Sequence, residues 1–337
     1  MQTRSYKHLF RLITSMIGTG GQLDASGTEG TQVADFINRR FQQAFDSSPV
    51  WPRYLVTSEE RRIIGLTIEN AAGTGASDIN GDYYILGTQK SGGGSHAKVG
   101  STVYFKTTGN DDGSVIDSGA AIFEQQSGTN LWTINTGASA GRSSDGSINV
   151  TSAGTVRYTE DNTIDHTSAP YEVTVWGTSN SASGRPTVLQ KQAIPYTETN
   201  RNNIGDFNRI HRKTPFINNS SVEYDFSVDI DGANILNIPN TEDSSAYVTY
   251  KREFTPFTVT SDFYNQGAVE VPSEFFNFIA HAVYADFLRV QNRQQEAIAE
   301  EQVAQTYLAL ELEKIDIRSN NNTINKRFST YVNRQSR

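Results

Sequence analysis

The sequence predicts an α+β chain, a helical bundle frame around a β-rich centre, with an all-β domain inserted into that centre. Three observations predict it. Apolar residues recur at helical spacing near both ends, and residues 66–190 hold 18 of the 27 glycines among short runs of β-formers. Past Arg185-Pro186 the glycine density falls and further β-patterned runs follow. The implied division is a core of residues 1–64 and 191–318, an inserted sandwich or barrel-like domain over 65–190, and an extended basic C-terminal arm over 319–337.

The elements follow in order. Residues 3–17 place Tyr6, Leu9, Phe10, Ile13 and Ile17 on one stripe, which Gly18, Gly20 and Gly21 stop. Residues 31–46 repeat the pattern with Val33, Phe36, Ile37, Phe41, Ala44 and Phe45, with Thr31 or Thr28 as N-cap. Pro49 and Pro52 end that helix, and Arg53–Thr57 is extended. The inserted domain offers strands at Asp82–Leu86, Thr102–Lys106, Ala121–Gln125, Leu131–Asn135, Thr155–Thr159 and Tyr171–Trp176. They would bury Tyr83, Tyr104, Phe123, Trp132, Tyr158 and Trp176. Strands are then expected at Ser221–Ile230, Asn234–Ile238, Ala246–Phe254 and Phe257–Thr260, bounded by Pro239, Pro256 and Pro272.

The strongest pattern is Pro272–Ile315. Its first face uses Phe275, Phe276, Ile279, Ala282, Val283, Asp286, Phe287 and Val290, capped by Ser273. Gln291–Gln295 breaks it, and a second face uses Ala297, Ile298, Glu301, Ala304, Tyr307, Leu308, Leu312 and Ile315. Two helices folding back on each other fit this pattern; one long kinked helix is the alternative.

Charge narrows the function. The chain carries −8, but Lys326, Arg327, Arg334 and Arg337 give residues 319–337 a charge of +4, which leaves −12 on the rest. An acidic body argues against a protein that grips nucleic acid by neutralising phosphates, and fits a surface past which DNA slides. There is no cysteine, hence no disulfide framework, thiol nucleophile or thiolate metal site. Arg11 interrupts the N-terminal apolar residues, unlike a signal peptide, and no run reaches membrane-span length. The Asn-x-Ser/Thr triplets at Asn149, Asn218, Asn219 and Asn321 have no role assigned.

No motif makes a convincing catalytic, cofactor or metal site. Gly137-Ala138-Ser139-Ala140-Gly141 matches a nucleophile elbow, but loop chemistry follows it where a helix is required. Asp78–Asp82 opens like a calcium loop, yet Tyr83 replaces the needed glycine and Gln89 the bidentate glutamate. Asp111-Asp112-Gly113 and Asp229–Gly232 read as turns, and Gly92–Ser95 as hairpin material. His8, His96, His166, His211 and His281 lack metal-ligand spacing; His281 reads as a packed, hydrogen-bonded residue. Glu59–Arg62 and Arg209–Lys213 read as solvated edges, the second also suited to a phosphate or an acidic neighbour. The basic tail joins Phe328, Tyr331 and Val332 to its charge, as a segment ordering on a partner requires; plain terminal disorder is the other reading.

The order of these motifs resembles the head-to-tail adaptor (connector) proteins of double-stranded-DNA bacteriophages, over residues 1–64 and about 190–337. The resemblance rests on the paired N-terminal helices with Phe36–Arg40 and Trp51–Leu55, on Ile204–Phe207 and Tyr247–Tyr250, and on Pro272 and the helix Phe276–Leu288. Residues 66–190 separately resemble a small β module that recurs in phage virion proteins, marked by Asn80–Tyr83, Trp132–Ile134, Pro170-Tyr171, Trp176 and Gly184–Val188. The first resemblance implies a non-enzymatic ring of twelve subunits at the neck of the virion's portal vertex, assembled in the host cytoplasm. The ring would dock on the portal protein, offer its other side to a tail nozzle or tail tube, and surround passing DNA without reading its sequence. C-terminal arms would reach the portal, here through Lys326, Arg327, Phe328, Tyr331 and Arg334. No cofactor and no membrane are expected. The alternative is a glycan-binding tail component acting through exposed aromatics of the inserted domain, and a tail-associated hydrolase lacks an acid/base or nucleophile set.

Overall fold

The computed structural model describes residues 3–18, 28–73, 79–89, 96–106, 121–137, 139–142, 148–152, 154–160, 176–178, 182–198, 200–215, 222–236, 244–258 and 269–335. The chain divides into two compact units, Met1–Leu55 with Lys251–Arg337, and Val56–Tyr250.

The first unit is helical because its stripes are. A short strand, β1 (Thr3–Ser5), leads into α1 (Tyr6–Ile17), whose Ser5 N-cap accepts from His8 N and whose end is closed by Gly18 at φ 91°. Helix α2 spans Thr28–Asp46. Strand β17 (Glu270–Pro272) pairs antiparallel with β1 and feeds α3 (Ser273–Val290), and α4 runs over Gln294–Gln335. The faces meet in one core: Leu9 and Ile13 from α1, Ile37 and Phe41 from α2, Phe276 and Ile279 from α3, Ala304 and Leu308 from α4. Trp51 closes it, its indole N–H donating to Ala44 O at 3.0 Å and its ring edge-on to Phe275. Of the two readings of the C-terminal stretch, the pair of helices holds, joined through Asn292 at φ 62°. Ser273 does not cap: Pro272 occupies the N-cap position with no side-chain hydrogen bond.

The second unit is built from strands. Those of the main sheet are β3 (Ile64–Gly73), β4 (Gly81–Thr88), β5 (Thr102–Lys106), β6 (Ala121–Gln125), β7 (Trp132–Thr136), β10 (Thr155–Glu160), β11 (Trp176–Thr178), β12 (Ala182–Pro195), β14 (Asp225–Val228) and β15 (Gly232–Leu236). They form one antiparallel sheet of ten strands in the order β11-β10-β7-β6-β5-β4-β3-β12-β15-β14. A second sheet has the order β13-β16-β2, from Ile204–His211, Ser245–Arg252 and Leu55–Arg62. Strands β8 (Ser139–Arg142) and β9 (Ile148–Ser152) pair with each other.

Alternation along β5–β7 sends side chains to two cores. Val103, Phe105 and Ile122 join Ala140, Ile148 and Val150 of β8 and β9; Phe123, Trp132 and Ile134 join Tyr83, Tyr158 and Trp176. A third core gathers Ile194, Phe207, Ile210, Ile235, Val248 and Tyr250. At the turn into β15, Gly232 has φ 144°, and a Cβ there would stand 2.1 Å from Ile194 O. Gly232→Ala is therefore expected to destabilise the chain by roughly 2 kcal/mol or more, read as a lowered urea midpoint.

The expected helical bundle frame is overturned. Strands make up 45% of the structure, with only four helices among the described residues. The periodicity of the helices was stronger than that of the longest strand pair, β3 and β12, neither of which the sequence suggested. Strands β14 and β15, expected to sit with the helices, are hydrogen-bonded through β12 into the same sheet as β3–β7. The α+β description survives only in its loosest sense.

Candidate functional site

The α3–α4 hairpin is held by a buried charge cluster on three helices. Arg40 of α2 donates through Nε to Asp286 Oδ2 at 2.7 Å and through Nη2 to Asp286 Oδ1 at 2.6 Å. The same guanidinium reaches Glu301 of α4, from Nη2 to Oε2 at 2.7 Å and from Nη1 to Oε1 at 3.1 Å. Arg39 and Arg289 add contacts to Asp286 at 2.7 and 2.8 Å. The Asp286 side chain is 4% exposed and that of Arg40 9%. Burial alone would raise the Asp286 carboxyl, but the hydrogen bonds and charges of Arg40 and Arg39 outweigh it and hold the group below the usual carboxylate range. One fork-shaped cation thus fixes the angle at which α4 leaves the core.

Further along the hairpin, His281 Nδ1 lies 2.8 Å from Glu300 Oε2 and its ring stacks on Tyr307, so this histidine is packed and hydrogen-bonded as its apolar setting suggested. Arg53 binds Glu274 at 3.1 Å at the start of α3.

Helix α4 then outruns its partner. At 1.5 Å per residue its 42 residues extend about 63 Å against about 27 Å for the 18 residues of α3. The segment from Ser319, expected to be extended, is helical to Gln335. Lys326, Arg327, Phe328, Tyr331 and Arg334 therefore lie on the last turns of one helix, with positions 327, 331 and 334 sharing a face by their spacing of four and three. The sequence missed the helix because Asn320-Asn321-Asn322 resembles a breaker.

The remaining candidates resolve into structural roles. Ser139 opens strand β8, so no elbow is present there. Asn80 is spent on backbone, accepting from Ala71 N at 2.9 Å and donating to Ala71 O at 3.0 Å, while Asp82 accepts from Thr67 Oγ1 at 2.6 Å. Asp229 caps the β14–β15 turn, accepting from Asp231 N and Gly232 N. Asp78, Asp111–Gly113, Gly92–Ser95 and His166 lie outside the described residues. No group of metal-ligating side chains occurs among the described residues, and no described helix is long and apolar enough to cross a membrane. Trp132 and Trp176 are 6% and 4% exposed, so neither offers a platform for a sugar ring.

Arg61 and Glu124 are among the buried polar groups that local sequence pattern does not reveal. Arg61, expected on a solvated edge, is enclosed: Nη2 donates to Tyr250 Oη at 2.7 Å, and Nε donates to Glu59 Oε2 at 2.9 Å. Glu124 is fully buried on β6, where Oε1 accepts from Asn135 Nδ2 at 2.9 Å and Oε2 has no hydrogen-bond partner. Burial pushes its carboxyl up to about 7 against a lowering hydrogen bond from Asn135. Compared with protein-family models, curated proteins and solved structures, the chain matches none of them.

Proposed function

We propose that the chain is a non-enzymatic structural protein of a phage virion, an adaptor whose copies form a ring that joins the portal protein to the tail and surrounds the DNA exit channel. The observation that carries this reading is the α3–α4 hairpin: a charge-clamped base from which a long helix with a basic last segment projects beyond its partner. A rigid lever of that kind suits docking on a neighbouring protein, and the charge of −12 on residues 1–318 suits a channel wall that does not retain DNA. Lys326, Arg327, Phe328, Tyr331 and Arg334 form the portal-contact arm in this reading, and the particle's portal vertex is its location.

Deleting residues 319–337 is expected to leave the circular dichroism of the chain close to wild type, apart from the lost helix, and to weaken binding to portal particles in co-sedimentation. Unchanged binding would remove the arm from the reading, and absence of the chain from purified virions would remove the reading itself.

A further inference from the structure

Helix α4 carries two opposite charge blocks in succession along its length. From Gln294 to Asp316 it has six acidic residues and one lysine; from Ile317 to Gln335 it has Arg318, Lys326, Arg327 and Arg334 and no acid. Ala297, Ala304 and Leu308 are buried against the core, which leaves another face outward. On that face Val303 is 40% and Leu310 48% exposed. The sequence continues the same stripe at intervals of seven with positions 317, 324 and 331, occupied by Ile, Ile and Tyr. A seven-residue apolar repeat stays in register with a second helix only by a slight supercoil, and Val303 and Leu310, one repeat apart and both exposed, favour a helical partner.

We infer that in the free protein this stripe pairs with the same stripe of a second copy of the chain, antiparallel and centred on Ile317. The charge pattern selects both the partner and the direction. Antiparallel pairing about position 317 sets 303 against 331 and 310 against 324, and brings the acidic half of each helix alongside the basic half of the other. Parallel pairing would set acid against acid and base against base, which costs free energy where like charges face each other. The contact is isologous, so one pair satisfies it and no open filament follows. It does not rest on the function proposed above: a paired arm and an arm docked on another protein exclude each other, and pairing describes the undocked chain.

The full chain in low salt should sediment at twice the monomer mass, and Leu310→Glu, on an exposed position, should return it to the monomer without loss of helix content. Because the chain has no cysteine, direction can be read chemically. Ile317→Cys alone should cross-link to itself under mild oxidation, whereas Leu310→Cys and Ile324→Cys should cross-link to each other in a mixture and far less to themselves. A monomer at every soluble concentration, a dimer indifferent to Leu310→Glu, or self-linking of all three cysteine variants would each overturn the inference.

Discussion

Replacing Arg40 with alanine is expected to destabilise the helical unit by about 3–5 kcal/mol, because the change leaves two carboxylates without their main counter-ion, one of them buried. Asp286 is 4% exposed and sits between Phe287 and Ala285 on a helix whose neighbouring faces are apolar, so water cannot replace the lost guanidinium. Arg39 and Arg289 remain within reach but are 61% and 38% exposed, and screened surface charge compensates a buried carboxylate poorly. The measurement is urea unfolding followed by helical circular dichroism. A triple variant, Arg40→Met with Asp286→Leu and Glu301→Met, should recover most of the loss, since it removes the charges together rather than stranding them. Loss of well under 1 kcal/mol in Arg40→Ala would mean the cluster is solvated. The same cluster sets an acid limit. A carboxylate held below its usual range stabilises the fold fully at neutral pH, and that contribution disappears as pH falls through the lowered value.

The helices and part of the sheet were legible because their signals are local. Strands β5 and β6 occupy Thr102–Lys106 and Ala121–Gln125 as their bounded runs of β-formers indicated, and the stripe of Phe275, Phe276 and Ile279 gave the inward face of α3. The pair β3 and β12 was not legible for a physical reason. Pro186 lies in the middle of β12, where a proline normally argues against a central strand. The structure accommodates it where the register shifts between the Gly184 and Thr187 pairs, so the ladder needs no N–H from it. Which runs become one sheet is likewise decided at long range: β12 returns past more than a hundred residues to lie along β3, and no window of sequence contains that pairing. For the site, the acidic positions 286 and 301 were visible within apolar stripes, and the paired Arg39-Arg40 stood on α2. Their convergence on one point depends on packing angles, which spacing does not encode. Glu124 gave no signal, because a glutamate in Ala121–Gln125 alternates to either face with equal ease until the second sheet layer is known.

Glu124 supplies the second large effect, opposite in sign to that of Asp286. Its carboxyl is pushed from 4.5 up to about 7 by burial, so between those values the folded chain holds a proton that the unfolded chain has released. Stability contributed by this group is therefore greatest below the unfolded value, declines as pH rises toward 7, and levels off above it. The full difference is on the order of 3 kcal/mol. Only Asn135 opposes the shift through its hydrogen bond, and the other carboxylate oxygen meets no donor. Glu124→Gln preserves the carbonyl that accepts from Asn135 and removes the titration. Its urea midpoint should exceed that of the wild type at pH 8, because it buries no charge there, and approach it at acid pH. Subtracting the two pH profiles cancels Asp286 and every other shared group, so the remaining curve belongs to Glu124. A flat difference would show that the carboxylate is hydrated within the sheet, and that its second oxygen finds in water the donor the protein does not provide.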